Sequence, residues 1–343
     1  MAARVKEHWP LLGLMLLTTL IAQVHFLGAE VVSREVTTAL VNLVLVVGLY
    51  IFIGNSGVFS FGHISFMAIG AYTTAILVIP LSIKPYILPN LPGFLADAHL
   101  AFVPATIIAG LVAAVFAAII AVPLMRLSGL TAALATFAVL VIVFVVADNW
   151  ETFTGGASGL ANVPTQTGVY DALAWALVAL VVAYAFQRTR WALKLRASRE
   201  DEPAARAVGI GVTLERTIAF VLGAFLAGVG GSLFAQFLGA FTAQAFFLNI
   251  TFLTLMMLIV GGFTSLAGAV IGTIFISALS ALLIRVEDGV DIVGLHLQAT
   301  RGLREVILAL IMLLVLILRP RGITGGREIR WPFRSAQPTV GRS

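Results

Sequence analysis

Side chains able to bind, dock or catalyse are scarce in this sequence, and the richest group lies in residues 188–216. Arg188, Arg190, Lys194, Arg196, Arg199, Arg206 and Arg216 stand there between two long apolar runs. At its centre, Asp201-Glu202-Pro203-Ala204-Ala205-Arg206-Ala207-Val208-Gly209 carries the marks of a short helix with its own start and stop. Asp201 is an N-cap residue type, and Pro203 falls in the first turn, where a missing N–H costs little. The alanines favour helix, and Gly209 suits a left-handed residue that ends it. A polar, capped helix between apolar runs is a candidate for docking something in the cytoplasm. Basic loops also serve simply to fix topology, and this loop alone leaves both readings open.

Two glycine-rich stretches hold the next set of polar groups. One is Gly54-Asn55-Ser56-Gly57-Val58-Phe59-Ser60-Phe61-Gly62-His63, and the other is Gly261-Gly262-Phe263-Thr264-Ser265-Leu266-Ala267-Gly268. Laid together, Gly57-x-Phe59-Ser60 falls over Gly261-x-Phe263-Thr264. Matched glycine-rich breaks in two halves point to an internally repeated transporter with interrupted helices around a pathway. Irregular backbone survives at membrane depth only where protein or a water-filled cavity satisfies it. Asn55, Ser56, Gly57, Ser60, Gly62, Thr264 and Ser265 are the candidate lining, although two tight connections could match this briefly by composition alone. A third polar stretch, residues 148–160, contains Thr154, Gly155, Gly156 and Gly159 and no basic residue. It reads as an outer gate, a docking surface for an extracytoplasmic partner, or a flexible loop.

The elements that must position these groups are apolar runs. Of 343 residues, 60% are hydrophobic and 11% charged, too few charges to cover a soluble domain of this length. About ten runs can be membrane helices: 11–27, 36–53, 64–79, 101–122, 130–147, 172–186, 217–239, 250–260, 266–284 and 305–318. The expected fold is therefore all-α, a polytopic helical membrane protein forming one membrane domain over residues 1–343. The run after Arg4 and Lys6 has no clear cleavage site and suits a retained first helix. With the N-terminus inside, sixteen of the 21 Lys and Arg residues fall on one side: in the start, at Arg126, in the 188–216 loop and in the 319–343 tail. Both termini are thus expected to be cytoplasmic. The same rule accounts for the net charge of +5 without nucleic acid. Residues 80–100, with Pro80, Pro85, Pro89 and Pro92, are too proline-rich for regular helix and read as an irregular cap. In the seventh run Gly223, Ala227 and Gly231 recur every four residues, the pattern that lets membrane helices approach closely.

Intramembrane catalysis or ion-driven pumping usually shows ionisable residues in mid-span, and none falls there. His8, His25, His63, His99 and His296 are scattered without metal-ligand spacing, cysteine is absent, and no nucleotide-binding or nucleophile motif occurs. His63 reads as a helix-end hydrogen-bonding group. No cofactor and no catalytic residue is expected, and any energy for pumping must come from another subunit. A stand-alone secondary transporter or channel remains the rival.

In combination these residues resemble the permease subunits of ATP-binding-cassette importers for branched-chain amino acids. The likeness is carried by Gly54-x-x-Gly57-x-x-Ser60-x-Gly62-His63-x-x-Phe66-x-x-x-Gly70-Ala71-Tyr72, by Asn149-Trp150 with Thr154-Gly155-Gly156-x-x-Gly159-Leu160, by the 198–210 segment, and by Leu318-Arg319-Pro320-Arg321-Gly322-Ile323. The resemblance implies a multi-pass protein of the bacterial inner membrane, paired with a second permease subunit in a hetero-oligomer within the lipid bilayer. It also implies cytoplasmic ATP-binding subunits docking on Glu202, Ala204, Ala205, Arg206 and Gly209, and an extracytoplasmic solute-binding protein that delivers substrate. Pro203 departs from that family's Glu-Ala-Ala spacing, and Gly268-Ala269 from its common Gly-Pro. Related permeases move urea, amides or aromatic acids, so substrate is the less determined part.

Overall fold

The structure, a computed structural model, describes residues 2–27, 30–288, 290–292, 295–297, 300, 302–326 and 328. In chain order the main helices are α1 (Ala2–Gln23), α2 (Glu30–Ser56), α3 (His63–Val78), α4 (Phe102–Leu124), α5 (Gly129–Asn149), α6 (Val169–Gln187), α7 (Arg190–Glu200), α8 (Glu202–Ala207), α9 (Val212–Leu238), α10 (Leu248–Gly261), α11 (Leu266–Asp288) and α12 (Leu303–Leu318). Each apolar run expected from the sequence is a helix. Eight segments among the described residues are long and apolar enough to cross a membrane. The other two, α3 and α12, have 16 residues each, about 24 Å at 1.5 Å per residue, against a hydrocarbon core of about 30 Å. A two-stranded antiparallel hairpin, Val290–Ile292 with Leu295–Leu297, lies between α11 and α12.

The centre of the bundle is α9, against which α2, α3, α4 and α7 all pack. Its small residues are the reason. A Cβ added at Gly223 would lie 2.7 Å from the Gly48 carbonyl oxygen, and one at Gly231 only 1.9 Å from that of Met67. Backbone therefore meets backbone at these crossings, the close approach that replaces hydrophobic driving force between helices in lipid. Consequently α2 and α3 pack along α9 rather than along one another.

Two boundaries differ from expectation. Helix α9 begins at Val212, so Arg216 is a buried residue of a spanning helix and not part of a loop. The basic segment holds two helices instead of one, because residues 190–200 contain neither Gly nor Pro and Thr189 caps them, accepting from the Ala192 N–H at 3.2 Å. Residues 80–100 are irregular as expected, with single turns at Lys84–Ile87 and Gly93–Ala96. Lys84 turns inward there, donating to the Leu95 carbonyl at 3.2 Å and to that of Ala98, and burial pulls its amine below the ordinary lysine range, partly offset by Asp97.

The start of α1, the 188–216 segment and residue 328 come together at one end, where Pro10, Leu14, Gln187, Arg196, Leu266 and Glu328 line one cleft. That cleft brings α1, the basic segment, the start of α11 and Glu328 together. The side chains of Arg4 and Lys6, and Arg301, Arg327, Arg330, Arg334 and Arg342, lie outside the described residues.

Candidate functional site

The helical hairpin α7–α8 is built as its sequence suggests. Asp201 caps α8, its Oδ1 accepting from the Ala204 N–H at 2.9 Å, and Pro203 stands in the first turn. Gly209 closes the helix at φ +82°, a left-handed position that glycine occupies without strain. Ala205 is buried, whereas Ala204 and Arg206 are exposed. Glu202 lies at the centre of a charge cluster. Its Oε1 accepts from Arg206 at 2.7 and 3.2 Å, and its Oε2 from Arg216 at 2.8 Å. Burial alone would raise its carboxyl, but the two guanidinium groups outweigh burial and hold it below the usual carboxylate range.

The first glycine-rich stretch, 54–63, joins α2 to α3 at the same end of the bundle and is closely packed. Asn55 donates to the Ile51 carbonyl at 2.9 Å, and its Oδ1 is buried without a hydrogen-bond partner. Ser56 accepts from the Val58 N–H at 3.1 Å. Ser60 and His63 Nδ1 are 2.9 Å apart, which makes His63 the helix-end hydrogen-bonding group expected of it, set among Phe52, Phe66 and Phe220. Gly62 lies against the Thr136 backbone of α5. Arg199 of α7 reaches across, donating to the Gly54 carbonyl at 2.7 Å and packing its stem on Gly57. That carbonyl is among the last four of α2, which lack partners within their own helix and attract positive charge.

The second stretch, 261–268, joins α10 to α11 and meets the first. The matched residues Phe59 and Phe263 meet as tilted rings with centroids 5.6 Å apart. Both stretches connect helices, and the first runs from Arg199 at Gly54 inward to Thr136 of α5, which accepts from the Phe61 N–H at 3.2 Å, and to Gly223 of α9 beside His63. The chain after α12 folds back over the second one. Ile323 and Thr324 donate backbone N–H bonds to the Val260 and Gly261 carbonyls at 2.9 and 3.1 Å, and Ser265 lies 3.2 Å from the Thr324 hydroxyl. Thr264 is half-buried beside Gly326. Glu328 accepts from the Leu266 and Ala267 N–H groups at 2.7 and 3.2 Å, capping α11, and from Gln187 at 3.0 Å; Gln187 in turn donates to the Tyr50 hydroxyl.

At the opposite end, residues 148–160 form a single turn, Glu151–Thr154, and a 3-10 turn, Gly156–Ser158. The buried Thr154 hydroxyl donates to the Ala147 and Trp150 carbonyls, both at 2.6 Å. Leu160 and Phe241 exchange two backbone bonds of 2.9 Å, and a Cβ at Gly159 would fall 2.2 Å from the Phe241 oxygen, so only glycine fits. Gly155, Gly156 and Gly159 line an acidic open basin of about 670 Å³ with Asp148, Asn149 and Glu151. The stretch is a rim of short turns held by these bonds.

Sequence reading missed Glu215 and Glu328, and named Arg216 only as a loop cation. Arg216 and Glu215 were one turn inside a helix whose start was placed too late, and Glu328 has no local pattern to mark it. A buried polar row on α9 and α4 was also missed: Thr106 and Ser232 hydroxyls lie 2.8 Å apart, and Gln236 donates to Ser232 at 3.2 Å.

A bundle of apolar helices long enough to cross a bilayer, with a charged helical hairpin gripped at one end, defines a multi-pass membrane protein. Residues 31–316 match the profile of the family described as branched-chain amino acid transport system / permease component, and the chain belongs to that family. It is similar to the high-affinity branched-chain amino acid transport system permease protein LivM of Salmonella typhimurium, 26% identical over 88% of this chain and 72% of the relative. Its similarity to LivM of Escherichia coli is 26% over 84% of this chain and 68% of the relative. No solved structure matches the chain. With its apolar helices, membership of this family makes it a multi-pass protein of the inner membrane.

Proposed function

We propose that this permease passes branched-chain or similar hydrophobic amino acids through the membrane as one subunit of an ATP-binding-cassette importer. Cytoplasmic ATP-binding subunits dock on α8 through Glu202, Ala204, Ala205, Arg206 and Gly209. A second permease subunit completes the membrane unit, and an extracytoplasmic solute-binding protein settles on the rim formed by Thr154, Gly155, Gly156 and Gly159. Asn55, Ser56, Gly57, Ser60, Gly62, Thr264 and Ser265 contribute to the inner part of the pathway.

One observation carries this reading: the hairpin that would meet the ATPase is bonded directly to the candidate pathway, Arg199 to the Gly54 carbonyl at 2.7 Å. Movement of the hairpin must move the end of α2 and the stretch packed on Phe263. The names of the LivM relatives support the substrate class. The packed state of 54–63 supports a closed inner end that opens when the hairpin moves.

The test is purification of the tagged chain in mild detergent from its native host, with identification of co-purifying proteins and an ATPase assay on the eluate. A nucleotide-binding subunit with measurable hydrolysis is the expected result. A lone, stable chain without hydrolysis, transporting under an ion gradient in liposomes, would instead establish a secondary transporter or channel.

A further inference from the structure

Adjacent residues of the first turns of α9 each hold a different cytoplasmic helix. Glu215, with its side chain 3% exposed, pairs with Lys194 of α7 at 3.3 Å. Arg216, also 3% exposed, pairs with Glu202 of α8 at 2.8 Å, and its other terminal nitrogen reaches the Leu127 carbonyl between α4 and α5 at 3.4 Å. The charges alternate in sign along α9, so neither helix can slide to the other's anchor without meeting a like charge.

A buried guanidinium cannot be left behind. Removing one partner of a buried ion pair leaves a desolvated charge, which is far costlier than the pair itself is stabilising. If α8 is pulled, α9 must follow it or strand Arg216. From α9 the displacement passes through backbone contacts with no slack, at Gly48 against Gly223 and at Met67 against Gly231. Packed interfaces of this kind shift between discrete arrangements and do not deform gradually. Resting on the importer reading above, we propose that Arg216 is the positioning residue of energy coupling, transmitting motion of α8 to the central helix through Glu202. Glu215 and Lys194 keep α7 moving with it.

The experiment uses the complete importer with its ATP-binding and solute-binding subunits, and measures ATP hydrolysed per amino acid taken up. Arg216→Gln keeps size and polarity but removes the charge, and is expected to raise that ratio about tenfold while the chain remains in the membrane. Arg216→Lys keeps a cation facing Glu202 without touching the docking helix, and should hold the ratio within about threefold of wild type. An unchanged ratio in Arg216→Gln, or a rise in Arg216→Lys as large as that in Arg216→Gln, overturns the proposal. If Arg216→Gln does not reach the membrane, Arg216→Lys alone decides it, a rise of about tenfold there overturning the role of the charge. A wild-type complex without ATPase would sink the importer reading and this role with it, an outcome distinct from a coupled wild type whose variants are also coupled.

Discussion

Replacing Gly231 with alanine should force α9 away from α3. The added Cβ would sit 1.9 Å from the Met67 oxygen, 2.8 Å from the Met67 carbonyl carbon and 3.0 Å from the Ala71 nitrogen. Comfortable carbon–oxygen approach is roughly 3.3 Å, so the backbones must part by about 1.4 Å. The neighbouring crossing, where a Cβ on Gly70 would be 2.2 Å from the Gly228 oxygen, must open too. Overpacking costs typically about 1–3 kcal/mol, and with backbone on both sides no rotamer can yield, which places this substitution near the top, at about 2–3 kcal/mol. Reversible unfolding in mixed micelles measures it. Gly13→Ala is the matched control, a glycine of α1 whose Cβ would meet nothing within 4 Å, expected to be neutral or stabilising by up to about 1 kcal/mol. Equal stability of Gly231→Ala and wild type, or an equal loss in Gly13→Ala, would refute backbone contact as the adhesive.

Three further outcomes are expected. Glu328→Ala strips the cap from α11 and should cost about 1–2 kcal/mol, read as faster hydrogen exchange at Leu266 and Ala267; unchanged exchange would remove the fold-back from the account. Gly209→Pro demands φ near −65° where the chain holds +82°, and should abolish uptake while the chain stays in the membrane; intact uptake and ATPase coupling would disprove docking on α8. Ser60→Trp and Thr264→Trp should lower uptake per folded molecule severalfold, and unchanged uptake in either would take that residue out of the pathway.

Most of the fold was legible because its causes are local. Long apolar runs dictate helices in a solvent without hydrogen-bonding partners, and Asp201, Pro203 and Gly209 mark α8 by cap and turn chemistry that acts within a few residues. The glycine spacing in 223–231 announced close packing. Helix α7 was missed because a mixed, charged sequence has no apolar stripe to reveal it, although Thr189 and the lack of breakers were there to read. The glycine-rich stretches were legible as breaks between apolar runs, but that Phe59 and Phe263 meet follows only from the packing of the helices they join.

The sequence by itself determined that the chain spans a membrane many times, that one charged capped helix interrupts the spans, and that small residues face one another along α9. Those follow from hydropathy, backbone sterics and side-chain size, all properties of short segments. Only the tertiary structure decided which residues hold the hairpin: Arg199 on Gly54, Arg216 on Glu202 and Lys194 on Glu215, with Glu328 on the start of α11. Each joins residues far apart in the chain or on different elements, and an ion pair or a borrowed cap leaves no periodic trace in sequence. It exists only once α9 has brought its neighbours within reach.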